Sequence, residues 1–250
     1  MASAPDHHDG EILAPGTARR RLPGWDCTAG LVAGPDAALL IDAGATLRQG
    51  AELRAWAGGL LARWSADGFP VPDRVTHLAL THPHFDHVLG APAFAGVTVL
   101  AAVGYDTLPA DEVVSDAVRH GVEAAAAAEA GDLFVRPDHL VSGERTVELG
   151  GGRQAVLANV GPGHTAHDLA VLVPGGPDAP DVVFCGDLVE ESGTPQAGPD
   201  ALPARWPAAL DRLLALGGGA ARYVPGHGAV VDAGFVRAQR AALAQRFGVS

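Results

Sequence analysis

Residues 78–87 read LALTHPHFDH, and this stretch decides the fold. A short apolar run, Leu78-Ala79-Leu80, is the end of a buried strand. It exits into a loop that carries His82, His84, Asp86 and His87 within six residues. On such a loop His82 and His84 can point together, while Asp86 and His87 turn toward a neighbouring position. Imidazole nitrogen and carboxylate oxygen are donors that suit zinc. Each of two ions placed there needs further ligands from elsewhere in the chain.

The same ending recurs outward from this stretch. LLIDAG (39–44) carries Asp42, AVLANVGPGH (155–164) ends on His164, VVFCGD (182–187) ends on Asp187, and RYVPGHG (222–228) contains His227. Active sites in α/β proteins gather where strands end, so seven imidazoles and carboxylates can converge on one spot. His164 and His227 each follow a glycine, which allows a sharp backbone bend. Asp187 is placed to bridge two ions. Cys185 reads as a small buried hydrophobe; the alternative is a thiol near the metal, since on a regular strand it faces the same side as Asp187.

The segments between these endings give the fold class. TAGLVAGPDAALLIDAG (28–44) reads as a β-hairpin. Residues 47–66 place Leu53, Trp56, Leu60, Leu61 and Trp64 on one helical face. A short helix is expected near 87–94, strands at 75–80, 97–103, 145–149, 154–160, 169–173, 181–185 and 221–224, and helices at 204–216 and 234–247. Residues 1–20 read as a tail or edge segment, with His7 and His8 on it. Residues 104–142 read as a helical excursion over the active-site edge, too short to build its own core. The order implies a layered α/β protein, with residues 21–250 forming one domain.

The 250 residues carry 17 basic and 29 acidic side chains, a formal charge of −12. That disfavours nucleic acid and anionic membranes as partners, because both need clustered positive charge. Two cysteines make neither a disulfide framework nor a cysteine-rich zinc site. No signal-peptide pattern and no apolar run of about 20 residues is seen, so a cytoplasmic location and a small-molecule substrate are expected. His77, His120 and His139 read as ordinary strand or surface groups. His167 either supports a ligand from behind or edges the substrate pocket. Tyr105, Phe134 and Trp206 are packing residues or pocket walls.

The pieces LLIDAG, THPHFDH, GPGHT, GDLV and PGHG, in this order from about residue 25 to 230, resemble the metallo-β-lactamase superfamily. The resemblance implies an αββα sandwich with a metal site at one edge of its two sheets. It implies two zinc ions, with iron or manganese as alternatives. His82, His84 and His164 would hold one, Asp86, His87 and His227 the other, with Asp187 shared and Asp42 behind the ligands. The implied chemistry is attack of a hydroxide, available near neutral pH between the two ions, on the carbonyl of a lactone, thioester, ester or amide. Asp86 would orient the nucleophile and relay a proton.

Departures from the family narrow this. Zinc β-lactamases of one type carry cysteine where Asp187 stands, and a lysine three residues later, where this chain has Glu190. Weak β-lactam turnover is expected. The shared aspartate is similar to glyoxalase II and the lactonases, yet only 23 residues follow His227, too few for the glutathione-binding helical domain of glyoxalase II. Iron diflavin reductases have Glu at the second motif histidine, and His84 argues against that group. The alternatives kept are β-lactamase-like hydrolysis and an iron-containing redox protein of the same fold.

Overall fold

In the computed structural model, residues 10–176 and 179–249 are described; His7 and His8 lie outside them. Seven strands form the first sheet in chain order: β1 (Glu11–Ala14), β2 (Thr17–Arg21), β3 (Thr28–Ala33), β4 (Ala38–Ile41), β5 (His77–Ala79), β6 (Thr98–Ala102) and β7 (His139–Val141). Pairing is antiparallel from β1 to β4 and parallel from β4 to β7. The second sheet holds β8 (Glu144–Gly150), β9 (Arg153–Asn159), β10 (Leu169–Val173), β11 (Val182–Glu190) and β12 (Arg222–His227), ordered β12-β11-β10-β9-β8.

Strand alternation builds the layers. Leu39, Ile41, Ala79, Leu100 and Ala102 face inward and pack on Leu157, Leu169, Val171 and Phe184 of the second sheet. Their neighbours Leu40, Leu78, Leu80, Val99 and Ala101 face outward under helices α1 (Leu47–Ala66), α2 (Phe85–Val88), α3 (Ala110–Arg119) and α4 (Ala124–Asp132). The far face of the second sheet is covered by α5 (Trp206–Gly217) and α6 (Ala233–Phe247). The result is helices, sheet, sheet, helices. Both faces of β4 are covered, which is why it reads as ALLI without a polar break. Burying each such leucine stabilises the fold by about 2 kcal/mol in transfer terms.

Helix α1 starts where the sequence asks it to. The Thr46 hydroxyl accepts from Gln49 N–H, and Gln49 Oε1 accepts from Ala45 N–H, a reciprocal cap over the helix start. Its buried side is Leu53, Ala57, Leu60 and Leu61, with Trp56 and Trp64 packed partly buried beside them.

Two sequence expectations need correction. Residues 11–21 are not a tail but two strands, β1 at the edge of the first sheet and β2 paired between β1 and β3. Arg19 of β2 is buried at 6% exposure, donating to Glu11 and to the Gly228 carbonyl. The 104–142 segment is a crossover from β6 to β7, two strands paired in parallel. Val113, Ala117, Ala127 and Ala130 bury its helices on the outer face of the first sheet. Its α3 packs against α2, and His120 at the end of α3 stacks on Phe85 at 5.4 Å. Among the described residues, no helix is long and apolar enough to cross a membrane.

Candidate metal centre

The strand ends bring the predicted ligands together at one edge of the sandwich. The loop after β5 supplies His82 and His84, α2 supplies Asp86 and His87, and the turn between β9 and β10 supplies His164. Asp187 lies within β11 and His227 ends β12. His82, His84, His164 and Asp187 each place one donor atom within 4.8 Å of the others, as do His87, Asp187 and His227. Asp187 therefore belongs to both groups. Asp86 closes the second one, with Oδ2 3.3 Å from His227 Nε2 and 3.7 Å from His87 Nε2.

Hydrogen bonds behind each ring decide which nitrogen faces the centre. His87 Nδ1 donates to Asp42 Oδ2 at 2.8 Å, leaving Nε2 toward Asp187 at 3.2 Å. His82 Nδ1 lies 3.0 Å from the Thr81 hydroxyl, which itself donates to Asp42 Oδ2 at 2.8 Å. His227 Nδ1 donates to the Trp25 carbonyl at 2.8 Å. His84 is turned the other way: Nε2 bonds Asp200 at 3.0 Å and Nδ1 faces His164 Nε2 at 2.9 Å. Such outer partners fix tautomer and ring angle in metal-binding histidines. His164 is the exception; its Nδ1 is buried without a partner, while Trp206 packs edge-on against its ring at 5.2 Å.

The donor set fits a pair of cations. His82 Nε2, His87 Nε2 and Asp187 Oδ1 are buried without a hydrogen-bond partner, a costly condition unless something else satisfies them. Donors bound to one tetrahedral zinc at about 2.0–2.1 Å stand roughly 3.3 Å apart. The cross-contacts bracket that value: 3.7 Å from His82 and 3.5 Å from His164 to Asp187, and 3.2 Å from His227 to Asp187. Electrostatics agrees. Burial, with His87 beside it, pushes the His82 pKa well below its usual value, and burial lowers His164 to about 4. Both rings are neutral, the form in which an imidazole can donate to a metal. Burial acts the same way on His227, but Asp187 and Asp86 overcome it and raise its pKa to about 10. Burial opposes ionisation of Asp187, yet His227, His87 and His82 hold its carboxyl well below the usual range. The two carboxylates draw in positive charge, which a metal supplies.

Glycine matters here for contact more than for bending. Neither Gly163 nor Gly226 has positive φ; the chain bends sharply at Gly163 and His164, as expected from sequence, while Gly226 lies within β12. Gly226 instead lets β12 pass close to Asp187: a Cβ there would lie 1.8 Å from Asp187 Oδ1. Gly226→Ala is expected to displace that carboxylate and weaken zinc binding about 10–100-fold while the fold survives, as competition with a chromogenic chelator would read. Gly186, at φ +53, decides between the two readings of Cys185 in favour of the buried one. The β11–β12 register shifts on either side of it, so Cys185 does not share a face with Asp187. Its thiol bonds the Val183 carbonyl in the core under α5 and α6.

Of the remaining sequence candidates, Asp42 is where the site needs it, 1% exposed and accepting from Thr81 N–H, Thr81 O–H and His87. His167 bonds the Val103 carbonyl at 2.9 Å and contacts no ligand that its bonds show. Tyr105 is buried and stacks on Phe134; Trp206 is buried and donates to the Leu188 carbonyl. Sequence reading missed three residues. Asp200 holds His84. Thr81 relays between His82 and Asp42. Cys27 lies 3.6 Å from His87 Nδ1 and forms one group with His87 and Asp86; burial pushes its thiol up to about 12, so it stays protonated.

Comparison with known proteins agrees with this geometry. The family model described as metallo-beta-lactamase superfamily matches residues 22–227. A curated relative, metallo-beta-lactamase domain-containing protein 1 of Xenopus laevis, is 34% identical over 122 residues, which is 49% of this chain and 41% of that protein. The chain thus spans about two-fifths of that relative's length. Among solved structures, a metallo-beta-lactamase from Erythrobacter litoralis, with beta-mercaptoethanol in its active site, superposes with a TM-score of 0.68 at 20% identity, covering 95% of this chain and 96% of that one. One from Pontibacter korlensis gives 0.67 at 22%, covering 94% and 97%. The mono-zinc form of FIM-1 from Pseudomonas aeruginosa gives 0.63 at 21%, covering 95% of both. At these identities the structures speak for the fold, and the family model speaks for descent. With the family model matching residues 22–227 and the candidate ligands drawn from the loop after β5, α2, the β9–β10 turn, β11 and β12, the chain belongs to the metallo-β-lactamase superfamily.

Proposed function

We propose that the protein is a dinuclear zinc hydrolase acting on a small carbonyl compound, a lactone, thioester, ester or amide. The observation that carries this reading is the position of Asp187, within 3.2–3.7 Å of imidazoles from both halves of the ligand set. When bound, the two ions would supply Lewis acidity and a water of lowered pKa. His82, His84 and His164 would hold one, and Asp86, His87 and His227 the other, with Asp187 common to both. Asp86, 6% exposed and beside His87 and His227, is placed to orient the attacking water and accept its proton. Iron or manganese would fit the same donors.

The surroundings suggest which substrates are taken. Glu190 pairs in register with His227 on the neighbouring strand, and its charge is felt by both His227 and Asp187. Asp200 stands on His84. The chain has no lysine at all. An anionic acyl compound would meet carboxylates beside the metals, whereas a neutral or cationic one would not. Zinc-loaded enzyme assayed on esters and lactones matched in shape is expected to favour neutral over carboxylate-bearing members by about ten-fold in kcat/KM. Glu190→Lys should narrow or reverse the ratio. Nitrocefin, which carries a carboxylate, is expected to be a poor substrate. A zinc-loaded enzyme inert toward the whole panel would sink the hydrolase reading; turnover with anions preferred would sink only the charge argument.

A further inference from the structure

A second polar cleft lies at the other end of the sandwich. It is lined by His77, Thr98, His139 and Arg145, with Leu100 and Val147 above them, and encloses about 210 Å³. His77 starts β5, and the metal loop leaves the far end of that strand five residues later, about 16 Å away at strand rise. This cleft is therefore separate from the metal centre.

Strand alternation makes its composition unusual. His77 shares a face with Ala79, Thr98 with Leu100 and Ala102, His139 with Val141, and Arg145 with Val147 and Leu149. Those apolar partners are all inward-facing core residues between the two sheets. At the row where the sandwich opens, β5 and β7 of one sheet and β8 of the other turn from aliphatic to His77, His139 and Arg145, while β6 turns to the hydroxyl of Thr98. Glu148 also borders the cleft, but alternation sends its side chain to the opposite face of β8. Asp138 is likewise out of phase, accepting from Val99 N–H.

The basic groups are free to bind. Thr76 Oγ1 lies 2.8 Å from His77 Nδ1, which leaves His77 Nε2 open. Among the described residues, neither His139 nor Arg145 makes a side-chain hydrogen bond or ion pair. Burial lowers the His77 pKa, and the positive fields of His139 and Arg145 lower it further. Two imidazoles and a guanidinium therefore converge with no carboxylate among the described residues hydrogen-bonded to any of them, in a chain whose acids outnumber its bases by 29 to 17.

We propose that this cleft is a binding site for a tetrahedral oxyanion, a phosphate either free or on a small ester, held by Arg145, His139, His77 Nε2 and the Thr98 hydroxyl. Guanidinium and imidazolium donors form charge-assisted bonds to phosphate oxygens. The cleft has room for one such group and several waters. Binding draws a proton onto His77, since the anion offsets the repulsion that keeps the ring neutral.

The test follows histidine ring signals by NMR in the zinc-loaded protein, titrated with sodium phosphate against sodium chloride at equal ionic strength. The expected result is a saturable shift of the His77 and His139 signals at low millimolar phosphate, with their titration midpoints moved up. Arg145→Gln should weaken this at least about ten-fold, and His139→Gln should do the same should the first variant fold poorly. Methyl phosphate separates the two sources: equal affinity means a phosphate ester is accepted, and binding of inorganic phosphate alone means the free ion. Identical histidine titrations in phosphate and chloride would overturn the proposal, as would unchanged affinity in both variants.

Discussion

Asp187→Ala is expected to lose bound zinc and hydrolytic activity together, with kcat/KM falling at least about a thousand-fold. The carboxylate stands within 3.2–3.7 Å of four imidazoles, His82, His87, His164 and His227, that come from three separate stretches of chain. Without it those rings face one another around a buried space with less negative charge to hold a cation. Stability should fall too. A ligand that binds only the folded state adds about 2.7 kcal/mol at 100 times its Kd, so chelation should lower the wild-type Tm by several degrees. The variant should show no such shift, because it has little metal left to lose. Metal content after gel filtration, read beside the melting curves, checks both halves. A variant that keeps full zinc and wild-type rates would contradict the shared-ligand assignment.

The second large effect is expected at Asp42, a residue that touches no metal. Its Oδ1 accepts from Thr81 N–H, and its Oδ2 from the Thr81 hydroxyl and His87 Nδ1. Thr81 in turn meets His82 Nδ1. One buried carboxylate thus orients a ring in each metal group. Asp42 also sits at φ +60, a conformation that Asp and Asn tolerate better than other side chains. Asp42→Asn can keep the backbone, but its amide cannot accept on both sides. With NH2 toward His87, that ring must carry its proton on Nε2 and cannot ligate; with NH2 toward Thr81, two N–H groups oppose each other. Zinc affinity should drop about 10–100-fold and unfolding free energy by about 1–3 kcal/mol. Asp42→Ala should cost more, about 3–5 kcal/mol, since His87 loses its buried charged partner. Urea titration and chelator competition on both variants give the two numbers. A drop confined to stability, with zinc affinity unchanged, would remove the orienting role.

These residues also mark what a sequence can disclose. The ligands were legible because each follows a buried strand, and a polar group at the end of an apolar run has few reasons to be there. Asp42 was legible for the same reason. Asp200 was not: it lies in a Gly-Pro loop 116 residues from His84, and nothing local to it announces a histidine partner. Thr81 reads as the last residue of a strand, and only the folded contact with Asp42 gives it a task. Cys27 meets His87 because β3 follows it, a long-range placement that spacing does not encode.

The fold errors have similar physical causes. TARRR (17–21) looks solvent-exposed, yet β2 buries Thr17 and Ala18, and Arg19 is nearly buried through its bond to the Gly228 carbonyl. The three residues of β7 are too few to show a period. Cys185 is the buried hydrophobe its residue type suggests, and the metal-facing alternative fails because the left-handed Gly186, directly before Asp187, breaks the alternation it assumed. A layered α/β protein was legible because β4, β5, β6, β10 and β11 are nearly all apolar, which requires cover on both faces; the αββα sandwich was what the family resemblance implied.

The most direct measurement is an anomalous-difference map recorded at the zinc edge on crystals of the zinc-loaded protein. Two peaks are expected, one bonded to His82 Nε2, His84 Nδ1 and His164 Nε2, the other to Asp86, His87 Nε2 and His227 Nε2, with Asp187 between them. A zinc-loaded crystal with no peak among these seven side chains, or with its metal bound elsewhere on the chain, would contradict the proposed dinuclear centre.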